Sequence, residues 1–343
     1  MNHPNIFNFA TSELSQDAFI CWLLSWASPD LKLEDKGLHD CGTALIAAFF
    51  YKMKIKKPSK FECVKVHKQY KNIDVLCVVN NEYPIIIEDK TDTKNHSKQL
   101  ERYYNEILGK GFSESKIIPI YYKTEDQSSY TEVERNKYKP FLRDDILGVL
   151  NTYTGTNQIL IDYRERLRQI SAETESYLVI PPREWTWRAW KGFYMRLQKE
   201  LDYGNWGYVP NQSGGFLGFW WGFENDSECQ QHLQLEGCPS KSEKKPFLNK
   251  LHLKIKVENK TMRSSLRDKW YKRYTSKANA SGLSFRKPDR FGSGKHMATS
   301  TLPDYIQCSE GLVDIPMTVS LLDRANEVFT RIHISENELI GTE

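Results

Sequence analysis

Three carboxylates and an ammonium bracket one apolar stretch: Asp74 near its start, and Glu88, Asp89 and Lys90 at its end. Ile73–Val79 is apolar and β-branched, Asn80-Asn81-Glu82 is turn-like, and Pro84–Lys90 is a second apolar run, the pattern of strand, turn, strand. Folding this stretch into a hairpin brings its charged ends together. Residues two apart on a strand share a face, so Glu88 and Lys90 point the same way. Charges on otherwise buried strands are costly unless they pair or bind a metal. Hard divalent cations such as Mg²⁺ take carboxylate and carbonyl oxygens and keep several waters. The bland alternative makes Asp74 a strand-end residue and Glu88 with Lys90 an edge ion pair worth roughly 0–1 kcal/mol. An even loop centred between Asn81 and Glu82 sets Asp74 opposite Asp89, whereas an odd loop or a bulge near Pro84 sets it opposite Glu88.

Downstream, Gln99 and Tyr103 lie four apart and so share a helix face. Leu100, Tyr104, Ile107 and Leu108 form the stripe expected to pack against the sheet. Asp74, then Glu88-Asp89-Lys90, then Gln99-x-x-x-Tyr103 resembles the signature of the PD-(D/E)XK nuclease superfamily, in its QxxxY-containing branch. Ile73 stands where that signature has its proline. The resemblance covers the N-terminal half and implies a restriction-endonuclease-like α/β fold, a mixed sheet flanked by helices. It implies a metal-dependent nuclease that hydrolyses phosphodiester bonds of nucleic acid, DNA being the expected substrate. By the same resemblance Asp74, Glu88 and the Asp89 carbonyl hold Mg²⁺ or Mn²⁺, and Lys90 positions the attacking water. Gln99 and Tyr103 orient the strand or the catalytic shell. Restriction, repair and defence against foreign DNA are all compatible. The alternative is a non-catalytic nucleic-acid-binding or protein-interaction module that retains a nuclease-like core.

Other elements must position these groups. A helix starts near Thr11-Ser12, both good N-cap types, and Phe19, Trp22, Leu23 and Trp26 recur at helical spacing. Glu13 in its first turn has two readings: a complement to the helix dipole, or, as the resemblance implies, another acid at the metal site. Asp17 shares its face and is the fallback. A second helix follows Gly37, with His39 near its start as a capping or surface residue. Phe61–Tyr70 reads as the strand before the hairpin, with His67 on its polar side. Lys116–Lys123 is a further strand, Thr124–Lys139 a loop, and Asp144–Tyr153 and Gln158–Ser171 are helices. That order is α/β. No P-loop or GxGxxG motif occurs.

The 343 residues suffice for two domains, and 39% hydrophobic with 13% aromatic content argues for folded cores. Seven cysteines without a CxxC pair favour a reducing cytoplasm over a disulfide framework or zinc site. No apolar run is long enough to span a bilayer. Pro181-Pro182 marks the change of pattern, so residues 1–178 are expected to form the nuclease-like domain and 179–343 an α+β domain with an antiparallel sheet. In the latter, Trp185–Leu201 and Thr261–Ser276 read as helices, Tyr203–Phe223 as a hairpin turning at Asn211–Gly215, and Gln230–Glu236 and Leu251–Val257 as strands. A terminal helix falls within Gly311–Ile332. Net charge is +4, yet residues 241–295 carry 17 Lys/Arg against four acids. That surplus suggests a polyanionic partner, with Lys254, Lys256, Arg263, Arg267, Lys272 and Arg273 as candidate nucleic-acid contacts. Trp206, Trp220 and Trp221 could stack on bases, although core packing is the commoner use of such residues. A homo-oligomer or a protein partner stays open.

Overall fold

A computed structural model describes residues 4–91, 98–211, 214–225, 228–237 and 248–340. The chain divides into two compact units, Met1–Ala172 and Glu173–Glu343. Tyr177 and Trp185 belong to the hydrophobic core of the second unit, which places that division ahead of Pro181-Pro182.

In the first unit, helices α1 (Glu13–Ser25) and α2 (Lys36–Lys52) precede strands β1 (Val64–Tyr70), β2 (Ile73–Val79) and β3 (Tyr83–Lys90). Helix α3 (Gln99–Leu108), β4 (Ile118–Lys123), the short α4 (Thr131–Arg135), β5 (Lys139–Leu142), α5 (Arg143–Leu150) and α6 (Gln158–Glu175) follow. The sheet order is β1-β2-β3-β4-β5. The β1-β2 and β2-β3 pairs are antiparallel, and β3-β4 and β4-β5 are parallel. This is the mixed sheet expected. Both of its faces are covered. Val75, Cys77, Ile85, Ile87 and Ile120 share a core with α1 and α2, while Leu76, Val78, Ile86 and Tyr121 share one with α3. Double coverage explains why β2, β3 and β4 read as continuous apolar runs without alternation.

Turn chemistry sets the registers. Lys71 and Asn72 both have positive φ, the mark of a two-residue hairpin turn between β1 and β2. Between β2 and β3 the loop is Asn80-Asn81-Glu82, with φ of 54° and 55° at the two asparagines, and Val79 pairs with Tyr83. The loop is therefore odd, and no bulge at Pro84 is needed.

Some local expectations differ from the structure. Helix α2 begins at Lys36, because the Asp35 side chain accepts the Leu38 N–H and caps it; Gly37 lies inside the first turn. Leu108 does not join the sheet-facing stripe and is 37% exposed, because α3 ends there and its neighbour Gly109 caps it. The stretch read as a loop from Thr124 to Lys139 contains α4, and β5 directly follows it.

The second unit contains α7 (Trp187–Leu201), β6 (Asn205–Val209), β7 (Phe216–Asn225), β8 (Gln230–Glu236), β9 (Lys250–Lys256), α8 (Arg263–Ala280), β10 (His296–Pro303) and α9 (Ile315–Ile340). Its sheet is antiparallel throughout, in the order β10-β9-β8-β7-β6. Leu251, Leu253 and Ile255 of β9 pack with Trp190 and Phe193 of α7 and Trp270 and Tyr274 of α8. Trp206 and Trp221 are core residues, as their commoner use implied, while Trp220 is half-buried. Among the described residues no helix is long and apolar enough to cross a membrane.

Candidate active site

The odd loop decides the geometry of the charged end. Val75 pairs with Ile87, so one step further Asp74 stands opposite Glu88. Strand alternation then puts Asp74, Glu88 and Lys90 on the α3 face and turns the Asp89 side chain toward α1. Lys90 Nζ lies 2.5 Å from Glu88 Oε1, 3.8 Å from Asp74 Oδ2 and 3.9 Å from Glu13 Oε2, and it donates to the Asp89 carbonyl at 2.8 Å. Asp74 Oδ2 accepts the Asp89 N–H at 2.9 Å, which fixes its carboxylate against the end of β3. Glu13, in the first turn of α1, accepts the Thr91 N–H at 3.2 Å. Of its two readings, the structure places this carboxylate beside Lys90.

Burial dominates the electrostatics. Glu88 is fully buried, and its carboxyl is pushed up from 4.5 to about 8, first by burial and then by the Asp74 charge, against the pull of Lys90. Burial also raises Asp74. Lys90 is held above its ordinary value although burial opposes its charge, because Glu88, Asp74 and Glu13 together outweigh that burial. The Glu88 and Asp74 side chains also lie within hydrogen-bonding reach of each other. Among the described residues no three acidic, histidine or cysteine side chains form a ready cage for a cation. The ammonium of Lys90 occupies the space between the carboxylates instead. Two adjacent carboxylates and the nearby Asp89 carbonyl still fit a hard cation that completes its shell with water and substrate oxygens.

Behind β3 a second layer holds the site in place. Gln16 of α1 donates Nε2–H to Asp89 Oδ1, and its Oε1 accepts from Thr124 Oγ1 at 2.9 Å and Tyr163 O–H at 3.1 Å. Asp17 is buried next to Asp89 and is pushed up to about 6, first by burial and then by Asp74. At the end of β4, buried Lys123 pairs in register with Lys90 and donates to the Thr91 carbonyl at 2.9 Å. Thr91 is thus gripped at its N–H by Glu13 and at its carbonyl by Lys123.

A sequence model of the PD-(D/E)XK nuclease superfamily matches residues 4–180. The chain belongs to that superfamily. No curated protein and no solved structure matches it significantly.

Within this nuclease-superfamily unit Asp74, Glu88, Lys90 and Glu13 come together. Gln99 and Tyr103 form a pair of their own: Gln99 Nε2 donates to Tyr103 O–H at 3.0 Å, Arg102 lies against the same ring, and Tyr103 is buried in the α3 core. Among the described residues no hydrogen bond joins this pair to the carboxylates. Gln16 and Lys123 were not among the residues expected at the site. The signal for Gln16 was a polar residue on the buried stripe of α1, one turn after Glu13. Lys123 was visible as a lysine closing an apolar strand, just as Lys90 closes β3.

The six candidate contacts of the second unit do not form one open basic face. Arg263 donates to the Val257 carbonyl, Arg267 to the Phe291 and Gly292 carbonyls, and Arg273 to the Ile332 carbonyl. These guanidiniums hold main-chain carbonyls of two loops and of α9. Arg267 also stacks on Phe291 and Arg273 on Trp270. Lys254 pairs with Glu236 and Lys256 with Glu258, while Lys272 is exposed. Lys241, Lys244 and Lys245 of the basic stretch lie outside the described residues.

Proposed function

We propose that the first unit is a metal-dependent nuclease that hydrolyses phosphodiester bonds, with DNA as its substrate. The observation that carries this reading is the convergence of Asp74, Glu88 and Lys90 on one face at one end of the sheet. Asp74, Glu88 and the Asp89 carbonyl would hold Mg²⁺ or Mn²⁺, whose Lewis acidity makes an attacking water more acidic and offsets charge on the scissile phosphate. The chain's own groups do the positioning. Asp74 is oriented by the Asp89 N–H, and Lys90 keeps its charge against burial because three carboxylates surround it. Its ammonium has three donors; Glu88 and the Asp89 carbonyl take two, which leaves one for a water or a phosphate oxygen. Glu13 and Lys123 fix the chain at Thr91 and so limit the freedom of Lys90. Gln99 and Tyr103, at the start of α3, would orient the substrate strand.

The second unit is proposed to contact the nucleic-acid backbone through exposed lysines such as Lys272, with the arginines as structural ties. Defence, repair and restriction roles all agree with this chemistry. The test is incubation of the full chain with labelled duplex DNA, single-stranded DNA and RNA, each with Mg²⁺, Mn²⁺ or EDTA. Cleavage that requires the divalent ion supports the proposal. Binding without cleavage under every condition would leave the non-catalytic module as the reading.

A further inference from the structure

A cavity of about 620 Å³ opens in the first unit between the end of α1, the middle of α2 and the segment that leads into β1. It lies at the opposite end of the sheet from the carboxylates. From Asp74 to Val79 strand β2 spans about 17 Å, and the cavity wall at Lys60 is tied to Asn80, just beyond that strand.

Its lining is cationic. Lys32, Lys57 and Lys60 reach it from two separate segments, and among the described residues none of the three is in an ion pair. Glu62 is the one carboxylate among its lining residues, and His39 adds an imidazole. Three lysines on one lining with so little counter-charge make it a favourable place for an anion. Thr43 of α2 also lines the cavity. Pro29, Pro58 and Phe61 supply an apolar wall beside these groups.

The wall is built in advance. Asn80, held at φ of 54°, accepts the N–H groups of Glu62 and Cys63 at 2.8 and 3.2 Å and donates to the Lys60 carbonyl at 2.9 Å. One side chain thereby clamps the strand-entry segment that carries Lys60 and Phe61. Preformed concave sites of this volume, with an apolar wall and a few convergent polar groups, are the usual form of small-molecule pockets.

We propose that this cavity binds a small phosphorylated ligand of nucleotide size, its phosphates against Lys32, Lys57 and Lys60 and its ring against the proline and phenylalanine wall. The inference does not depend on the nuclease reading, because the cavity shares no residue with the carboxylate site. The full chain would be titrated with ATP, with adenosine and with a short DNA duplex, all in EDTA, by calorimetry. Saturable ATP binding is expected, weakened about tenfold or more by Lys57→Gln with Lys60→Gln. Lys32→Gln, on a separate segment, should weaken it as well, and adenosine should bind far more weakly than ATP. Asp74→Ala should leave ATP binding unchanged. Absence of saturable ATP binding, or ATP binding indifferent to the lysine replacements, would overturn the proposal. So would dependence on these lysines for the duplex and not for ATP, which would assign the cavity to a substrate strand.

Discussion

Replacing Glu88 by glutamine should stabilise the metal-free protein while removing its activity. The Glu88 carboxyl is fully buried and ionises at about 8 in the fold, against 4.5 for the ordinary group. Between those values the folded state holds a proton that the unfolded chain has released. The contribution of this group to stability is therefore full below the unfolded value, falls as pH rises, and levels off above the folded value. Each pH unit inside the window costs about 1.4 kcal/mol. The loss reaches about 3 kcal/mol at neutral pH and about 5 kcal/mol once the group is ionised in both states. Glu88→Gln keeps the shape of the protonated side chain and carries no charge, so it escapes that loss. Urea denaturation in EDTA should show the variant close to wild type near the unfolded value and more stable by about 3 kcal/mol at neutral pH. Added Mg²⁺ should reverse the order, because wild type gains stability from a ligand that the variant binds poorly. A variant no more stable than wild type at alkaline pH would refute the reasoning, since the buried Glu88 charge would then carry no cost.

Asp74→Ala should abolish metal-dependent cleavage, and Lys90→Ala should lower turnover by at least about 10²-fold with metal binding largely kept; full cleavage by the Asp74→Ala protein would remove the assignment. Glu13→Gln should reduce the cleavage rate by about 10–100-fold through the loosened Lys90, leaving the folded circular-dichroism spectrum unchanged. Gln16→Leu leaves buried Asp89, Thr124 and Tyr163 groups short of partners and should cost about 2–4 kcal/mol of stability by urea denaturation. Arg263→Gln, Arg267→Gln and Arg273→Gln together should lower the melting temperature, because each guanidinium holds a main-chain carbonyl at about 1.5–3 kcal/mol. Lys272→Gln should spare stability and shallow the salt dependence of duplex binding by about 0.9 in log–log slope if that lysine meets a phosphate.

Local patterns carried much of this protein into view. The β2-turn-β3 hairpin was legible because two apolar runs flank an Asn-rich turn, and α1 because its aromatic residues recur at helical spacing above a Ser cap. The carboxylates and Lys90 stood out because charge on buried strands is expensive. The second sheet was legible in β9, where leucines and isoleucine alternate with lysine and histidine. Strands without such a pattern stayed hidden. In β5 the four residues Lys-Pro-Phe-Leu are drawn into the sheet by pairing with β4, and in β10 a run rich in serine and threonine is held by its register with β9. Neither shows the alternation that marks a strand in isolation. The tertiary structure alone decided that Asp74 faces Glu88, because that depends on the left-handed conformations of Asn80 and Asn81. It also decided that Gln16 and Lys123 brace the site, and that the arginines of α8 bond inward to carbonyls. Composition counts a charge but does not say what it touches. An arginine meets solvent or a buried carbonyl according to which loop the fold brings within reach, and that is set by contacts distant in the chain.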